Sequence, residues 1–352
     1  MTTATEIDRG GSPLRRILRE NAVLLVLVAI HAAAAAATAR AIGQTYEPGV
    51  VAGLGAILAV MAPVVVAVLA VRHLLVLALR ERPERPIRRF AADVAGAVTD
   101  PDRVAGGLLA LAALSVFIAA FTHLKAAIPA LQPFAWDEAF AAWDRALHFG
   151  VDPWRITFAL FGTPVATTAI NAAYHAWLFL MYFVVLLACF ATGDRTGRNA
   201  FLIGWVLAWA VGGNLFATVF SSAGPVYFGP LGLGDDFAAL RATLEAFHEA
   251  SPVWALGVQD MLWEGYVADG AMKGISAMPS MHVASSVLLA LYGFRHARWA
   301  GWLLTAFAAV IVVGSVHLGW HYAIDSYAGI LVGVAAWMAG LRLARWQERR
   351  AG

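Results

Sequence analysis

The stretch that decides the arrangement of the chain is AMPSMHVASSVLLALYGFRHARWAGWLLTAFAAVIVVGSVHLGWHYAID, residues 277–325. Two apolar runs flank a short basic turn, Arg295 to Arg298. Ser280 and His282 open the first run, while His317, His321 and Asp325 collect where the second ends and a third begins. Imidazoles and carboxylates are expensive at a membrane boundary unless they are paired or used. The pattern predicts that Ser280, His282, His321 and Asp325 form one site assembled from three helix ends.

Composition supports a membrane reading. Of 352 residues, 61% are hydrophobic and 14% charged, where a soluble domain has about half and a quarter. Mean hydropathy is +0.70. The chain is therefore expected to be an all-α integral membrane protein, probed outward from the opening stretch as eight spans: 22–39, 50–71, 104–128, 164–190, 200–220, 281–294, 299–318 and 322–343. The sixth is short and is expected to extend beyond its apolar core. Ala37-Thr38-Ala39 resembles a signal-peptidase site, but the apolar stretch before it is long for a signal core, which favours an uncleaved span. The single cysteine, Cys189, excludes an intramolecular disulfide and reads as a packing residue.

Two further stretches are amphipathic. Trp136, Phe140, Trp143 and Leu147 recur at helical spacing, with Asp137, Asp144 and Arg145 off the stripe, so 134–148 is expected to lie flat in the interface. Phe237, Leu240, Leu244 and Phe247 form a second stripe, expected to be capped by Asp235 or Asp236 and stopped at Ser251-Pro252. The rest of 221–277 reads as a long loop.

Lysine and arginine set the orientation. With the N-terminus in the cytoplasm, 19 of 25 basic residues, from Arg9 to Arg350, fall in cytoplasmic segments. The six outside are Arg40, Lys125, Arg145, Arg155, Arg241 and Lys273. Both termini are then cytoplasmic, and Ser280, His282, His317, His321 and Asp325 meet at the outer face.

Phosphoryl transfer suits such a site. Pro279 can start a helix and Ser280 can cap it, leaving N–H groups and a positive helix end for an anion. His321 and Asp325, four apart, would share a helix face, so the carboxylate could fix one ring nitrogen and free the other to attack. His282 could protonate the leaving oxygen. Two other readings remain open at this point. His282, His317, His321 and Asp325 are all ligand types for a metal. Intramembrane histidines with a carboxylate can also line a transport pathway, although that reading expects ionisable groups spread through the bilayer and inverted repeats.

These motifs resemble the type 2 phosphatidic acid phosphatase superfamily. Its second motif, Pro-Ser-x-His, falls on Pro279-Ser280-Met281-His282, and its third, Ser-Arg-x5-His-x3-Asp, on Gly314-Ser315 through His321 and Asp325. The resemblance implies a phosphohistidine on His321, oriented by Asp325, with His282 as general acid and Ser280 on the phosphate. It implies no metal or other cofactor, and about six core helices, here spans three to eight. Residues 104–352 would then be the catalytic core and 1–103 a two-span extension with a basic cytoplasmic loop.

The chain departs from the pattern in two places. Ser315 stands where the third motif has arginine, and the first motif, Lys-x6-Arg-Pro, has no clear match. The nearest stretch, NLFATVFSSAGPVYF, offers Asn214 and Ser221 but no cation. Lys273 and Arg241 are candidates for the missing charge, and Ser280, Ser315, Asn214 and Lys273 for phosphate contact. GISAMPSMHVA, WHYAID and AWDRALHFGVDPW are similar to the inositol phosphorylceramide synthase-like branch, in which the His, His, Asp triad is kept and the phosphate cations are altered. That branch implies transfer of a phospho-head group, for example phosphoinositol, from a membrane lipid to an alcohol or polyol on a lipid acceptor. Hydrolysis of a lipid or polyprenyl phosphate is the alternative, and no nucleic-acid partner is expected.

Overall fold

A computed structural model describes residues 13–46, 50–268 and 274–351; Arg9 and Lys273 lie outside them. Among the described residues there are helices and no strand. The chain begins with α1 (Pro13–Glu20), α2 (Ala22–Ala41) and α3 (Val50–Val76), the last prolonged by a π-helical turn at Leu77–Glu81. α4 (Pro86–Thr99), α5 (Pro101–Leu131), α6 (Asp137–Leu147), α7 (Pro153–Phe161) and α8 (Pro164–Cys189) follow. α9 (Arg195–Leu207) runs through a π-helical segment, Ala208–Phe216, into α10 (Ala217–Val219). α11 (Ala238–Ala250), α12 (Trp254–Val267), α13 (Met281–His296), α14 (Arg298–His317) and α15 (Ala323–Ala351) complete the fold.

Local chemistry sets many of these starts. Asp100 accepts from Asp102 N and Arg103 N ahead of Pro101, and Thr163 accepts from Ala166 N ahead of Pro164. Each pairs an oxygen that satisfies free N–H groups with a proline whose ring suits the first helical position. Asp194 caps α9 through Gly197 N and also pairs with Arg295 at the end of α13. That guanidinium holds the Asp194 carboxyl below its usual range.

Among the described residues, seven helical stretches are long and apolar enough to cross a membrane: Ala22–Ala41, Ala59–Glu81, Pro101–Leu131, Pro164–Cys189, Arg195–Val219, Arg298–His317 and Ala323–Arg350. This is an all-α integral membrane protein. The sixth expected span, α13, is not among them, and it runs only two residues beyond its apolar core. It has 16 residues, held between the Ser280 cap and Ala297, because the chain turns straight into the antiparallel α14.

α13 lies against α15 with almost no side-chain spacer. A Cβ on Gly329 would stand 2.5 Å from Ser280 O, and one on Gly333 2.6 Å from Ala284 O. Small residues one turn apart let membrane helices approach to backbone contact. The approach is closed by Ser280 N donating to Asp325 O at 2.9 Å. Val23, Leu24 and Val28 of α2 join the same core as Phe201, Leu288 and Trp337, and Val23 N donates to Gln347 Oε1 of α15.

The two amphipathic stretches dock in different ways. In α6, Phe140 is buried, but Trp143 and Leu147 are exposed, and Asp137 and Asp144 are buried instead. Asp144 accepts from Ala323 N (2.7 Å) and Ile324 N (3.0 Å), the free donors of the first turn of α15. Asp137 accepts from Ala223 N, Gly224 N and the Tyr322 hydroxyl. Burial pushes both carboxyls up, while these donors pull them back. α6 is therefore docked by its carboxylates, seven residues apart on one face. In α11, Leu240 and Leu244 are buried as the stripe requires, but Phe237 is the N-cap residue, and Asp236 is drawn away to Arg145. The segment read as loop after Pro252 contains α12.

Asp144→Asn replaces an acceptor by an amide whose NH2 must face a backbone N–H. Leaving a buried donor unmet costs about 1–3 kcal/mol. The expected outcome is a lower melting temperature in detergent, whereas Asp260→Asn, at an exposed position, leaves it nearly unchanged. An Asp144→Asn protein as stable as wild type would show that this cap does not hold α15.

Candidate active site

The site grows from the turn between α14 and α15. α14 ends at His317, and the chain crosses Leu318-Gly319-Trp320 before His321. His321 precedes α15, so it does not share a helix face with Asp325; the turn brings the two together. His321 N donates to Ser315 O (3.0 Å), and Tyr322 N donates to Asp325 Oδ2 (3.0 Å). The His321 Nδ1 to Asp325 Oδ2 distance is 3.4 Å, an ion-pair contact slightly too long for a good hydrogen bond. Accordingly His321 Nδ1 and Asp325 Oδ1 have no hydrogen-bond partner in the protein. The Tyr322 hydroxyl, pushed up by burial and by Asp137, stays protonated and donates to that carboxylate.

His282 enters from the first turn of α13. Pro279 precedes the cap and does not start the helix; Ser280 is the cap, its hydroxyl 3.5 Å from Val283 N. The His282 ring lies between Tyr174 (centroids 4.3 Å) and Trp177 (3.9 Å), which fix its plane. Trp177 is itself anchored, donating to Ser285 Oγ at 2.9 Å. The His282 and His321 rings meet edge to face with centroids 6.2 Å apart. His282, His321 and Asp325 are thus brought together from three helix ends.

Both imidazoles line a cavity of about 520 Å³. Its walls come from α5 (Phe121, Lys125), α8 (Tyr174, Trp177, Leu178), α12 (Val258, Leu262) and the segment 274–276. The amphipathic stretches 134–148 and 235–250 do not line it. They brace it from behind, with Phe237 against Tyr322 and Leu240 beside Gly319.

The expected phosphate contacts divide. Ser280 and Ser315 are fully buried, with hydroxyls 3.5 Å apart, behind the histidines and off the cavity wall. Asn214 sits in the π-helical segment and donates to Phe121 O, away from the cavity. Ser221 is buried in a loop whose following N–H groups, at Ala223 and Gly224, are taken by Asp137. Arg241 is engaged by Glu245 and Asp260. Lys273 lies outside the described residues.

His317 does not join the histidines. Its Nε2 meets Thr167 Oγ1 at 2.9 Å, its Nδ1 meets Thr157 Oγ1 at 3.2 Å, and its ring stacks on Phe158. Among the described residues no group of three His, Cys, Asp or Glu side chains is arranged to hold a metal.

Sequence reasoning missed Lys125. It is one of two lysines in the chain, it sits inside the third apolar span, and its side chain lines the cavity that holds both histidines. A lone cation in an apolar span was the available signal.

A family model described as the PAP2 superfamily matches residues 138–339, more than half of the chain, and takes in both histidines and Asp325. No curated protein and no solved structure matches the chain. A helical membrane bundle with this family match is an enzyme of the phosphatase or phosphotransferase type acting on phosphate esters, and the chain belongs to the PAP2 superfamily.

Proposed function

We propose that this enzyme transfers a phospho-head group from a membrane lipid to an alcohol through a covalent phosphohistidine on His321. The observation that carries the reading is the pair His282 and His321, rings 6.2 Å apart, facing one largely apolar cavity with Asp325 behind His321. Asp325 at Nδ1 orients the ring and stabilises the charge it gains, leaving Nε2 as nucleophile. Nε2 forms a bond to phosphorus as the bond to the lipid alcohol breaks, and His282 delivers its proton to the departing oxygen. General acid help of this kind is worth about 10²–10⁴ in rate. In the second half, His282 takes the proton of an incoming alcohol, whose oxygen bonds to phosphorus as the N–P bond breaks.

Three features favour transfer of a diester head group over release of inorganic phosphate. Ser315 replaces an arginine, no Lys-x6-Arg-Pro cation pair is present, and the walls are aromatic and aliphatic. The runs GISAMPSMHVA and WHYAID, similar to the inositol phosphorylceramide synthase-like branch, point the same way. The charge distribution further supports cytoplasmic termini and a site on the outer face.

His321→Ala, His282→Ala and Asp325→Asn are each expected to cut turnover by at least about a hundredfold while the protein stays folded. Purified protein is incubated with mixed phospholipids, with and without an added polyol or ceramide, and products are read by mass spectrometry. A new phospho-head-group lipid supports transfer, and free phosphate or a released head-group phosphate supports hydrolysis. Retained turnover in His321→Ala would sink the mechanism.

Orientation has its own test, helped by the burial of Cys189, the single native thiol. Phe149→Cys, near the site, should react with an impermeant maleimide added outside intact cells, and Gly193→Cys at the opposite end should not. The reverse pattern would invert the topology.

A further inference from the structure

A second cavity lies at the far end of the bundle from the histidines. It holds about 300 Å³, and its walls include Asn21 ahead of α2, Arg103 of α5, Cys189 at the end of α8, Arg198 of α9 and Gln347 of α15. Gln347 is about 33 Å along α15 from Asp325 at 1.5 Å per residue. Five of the spanning stretches begin or end beside this cavity, which places it at a membrane boundary.

The charged groups on its walls do not all pair off. Glu20 is taken by Arg195 and Asp102 by Arg16, while Glu348 accepts from the Thr196 hydroxyl at 2.6 Å. Two guanidiniums are left over. Arg198 is only 6% exposed, and every oxygen it donates to is neutral: Cys189 O, Asn21 Oδ1 and Asn199 Oδ1. Arg103 donates from Nη2 to Thr192 Oγ1 at 3.0 Å, while its Nε is buried without a partner. Among the described residues neither arginine forms an ion pair. A guanidinium held out of water without a counter-charge is strongly disfavoured, and an anion in the cavity supplies one.

We propose that Arg103 and Arg198 bind a phosphate group in this cavity, at a site separate from the one that carries the histidines and independent of the reaction proposed there. Guanidinium N–H forks match phosphate oxygens, and Arg103 Nε and the remaining N–H of Arg198 Nη2 are free to donate. The phosphate belongs to a lipid head group of the adjoining leaflet or to a free ion. α1 favours the lipid. Arg16 and Glu20 of α1 turn towards the cavity, while Leu14 and Leu18, on the opposite face, are exposed, as in a helix lying at head-group depth. Bound there, the phosphate links α5 with α9 and, through Asn21, with the start of α2.

The test is thermal unfolding of the full chain in detergent at constant ionic strength, in a His321→Ala background so that turnover does not consume the probe. Inorganic phosphate and phosphatidylglycerol are titrated in separate arms, with chloride and diacylglycerol as the phosphate-free controls. Phosphatidylglycerol is expected to raise the melting temperature in a concentration-dependent way, as any ligand of the folded state does. Adding Arg103→Gln should weaken the apparent affinity by about ten- to a hundredfold, the worth of a hydrogen bond to a charged group. Arg103 is the residue to change because it donates to a hydroxyl, whereas Arg198 also holds the backbone at Cys189. A response to phosphatidylglycerol alone assigns the phosphate to a lipid, and a response to inorganic phosphate shows that the free ion suffices. No response to either probe, or the same affinity in Arg103→Gln, overturns the inference.

Discussion

Two buried carboxylates on one short helix hold the reactive end of this bundle together. Asp144 meets the free N–H groups of Ala323 and Ile324, and Asp137 meets those of Ala223 and Gly224 and the Tyr322 hydroxyl. A carboxylate inside a membrane protein is tolerable only when its lone pairs are answered, and here helix-end donors and one phenol answer them. The consequence reaches His321. Its successor Tyr322 is tied to Asp137 through the hydroxyl and to Asp325 through the backbone, so the turn carrying the imidazole is fixed from two sides. The negative end of this arrangement also sits at the N-terminus of α15, where the helix dipole favours it.

The second constraint is the close passage of α13 across α15. Gly329 and Gly333 remove the side chains that would hold the helices apart, and Ser280 N closes onto Asp325 O. Placing His282 against Tyr174 and Trp177 then sets the distance to His321. The two halves of the site are joined by backbone contacts. His321 Nδ1 and Asp325 Oδ1 have no hydrogen-bond partner in the protein.

Hydropathy and motif spacing made the spans and the grouping of His282, His321 and Asp325 legible in the sequence, because both depend on local pattern. What was hidden depends on partners distant along the chain. Asp137 and Asp144 stood out in the sequence only as residues off an apolar stripe, since nothing local announces the backbone donors at 223 and 323. His321 and Asp325 looked like a helical i, i+4 pair, whereas a turn makes the contact. Lys125 went unassigned because its helix precedes the motifs, and the cavity joining it to them exists only in the folded bundle. Ser280 and Ser315 appeared as phosphate contacts by motif, yet packing of α13 on α15 sets them behind the histidines.

Charge at the reacting phosphorus and the identity of the attacking atom meet in one experiment. Purified protein is given a phospholipid labelled in its phosphate, quenched within a turnover, and examined for label bound to the chain. A nucleophilic His321 predicts label that is stable to base, released by acid and mapped to His321, and absent from His321→Ala. Steady turnover in His321→Ala, or label that is mapped to another residue, would contradict it.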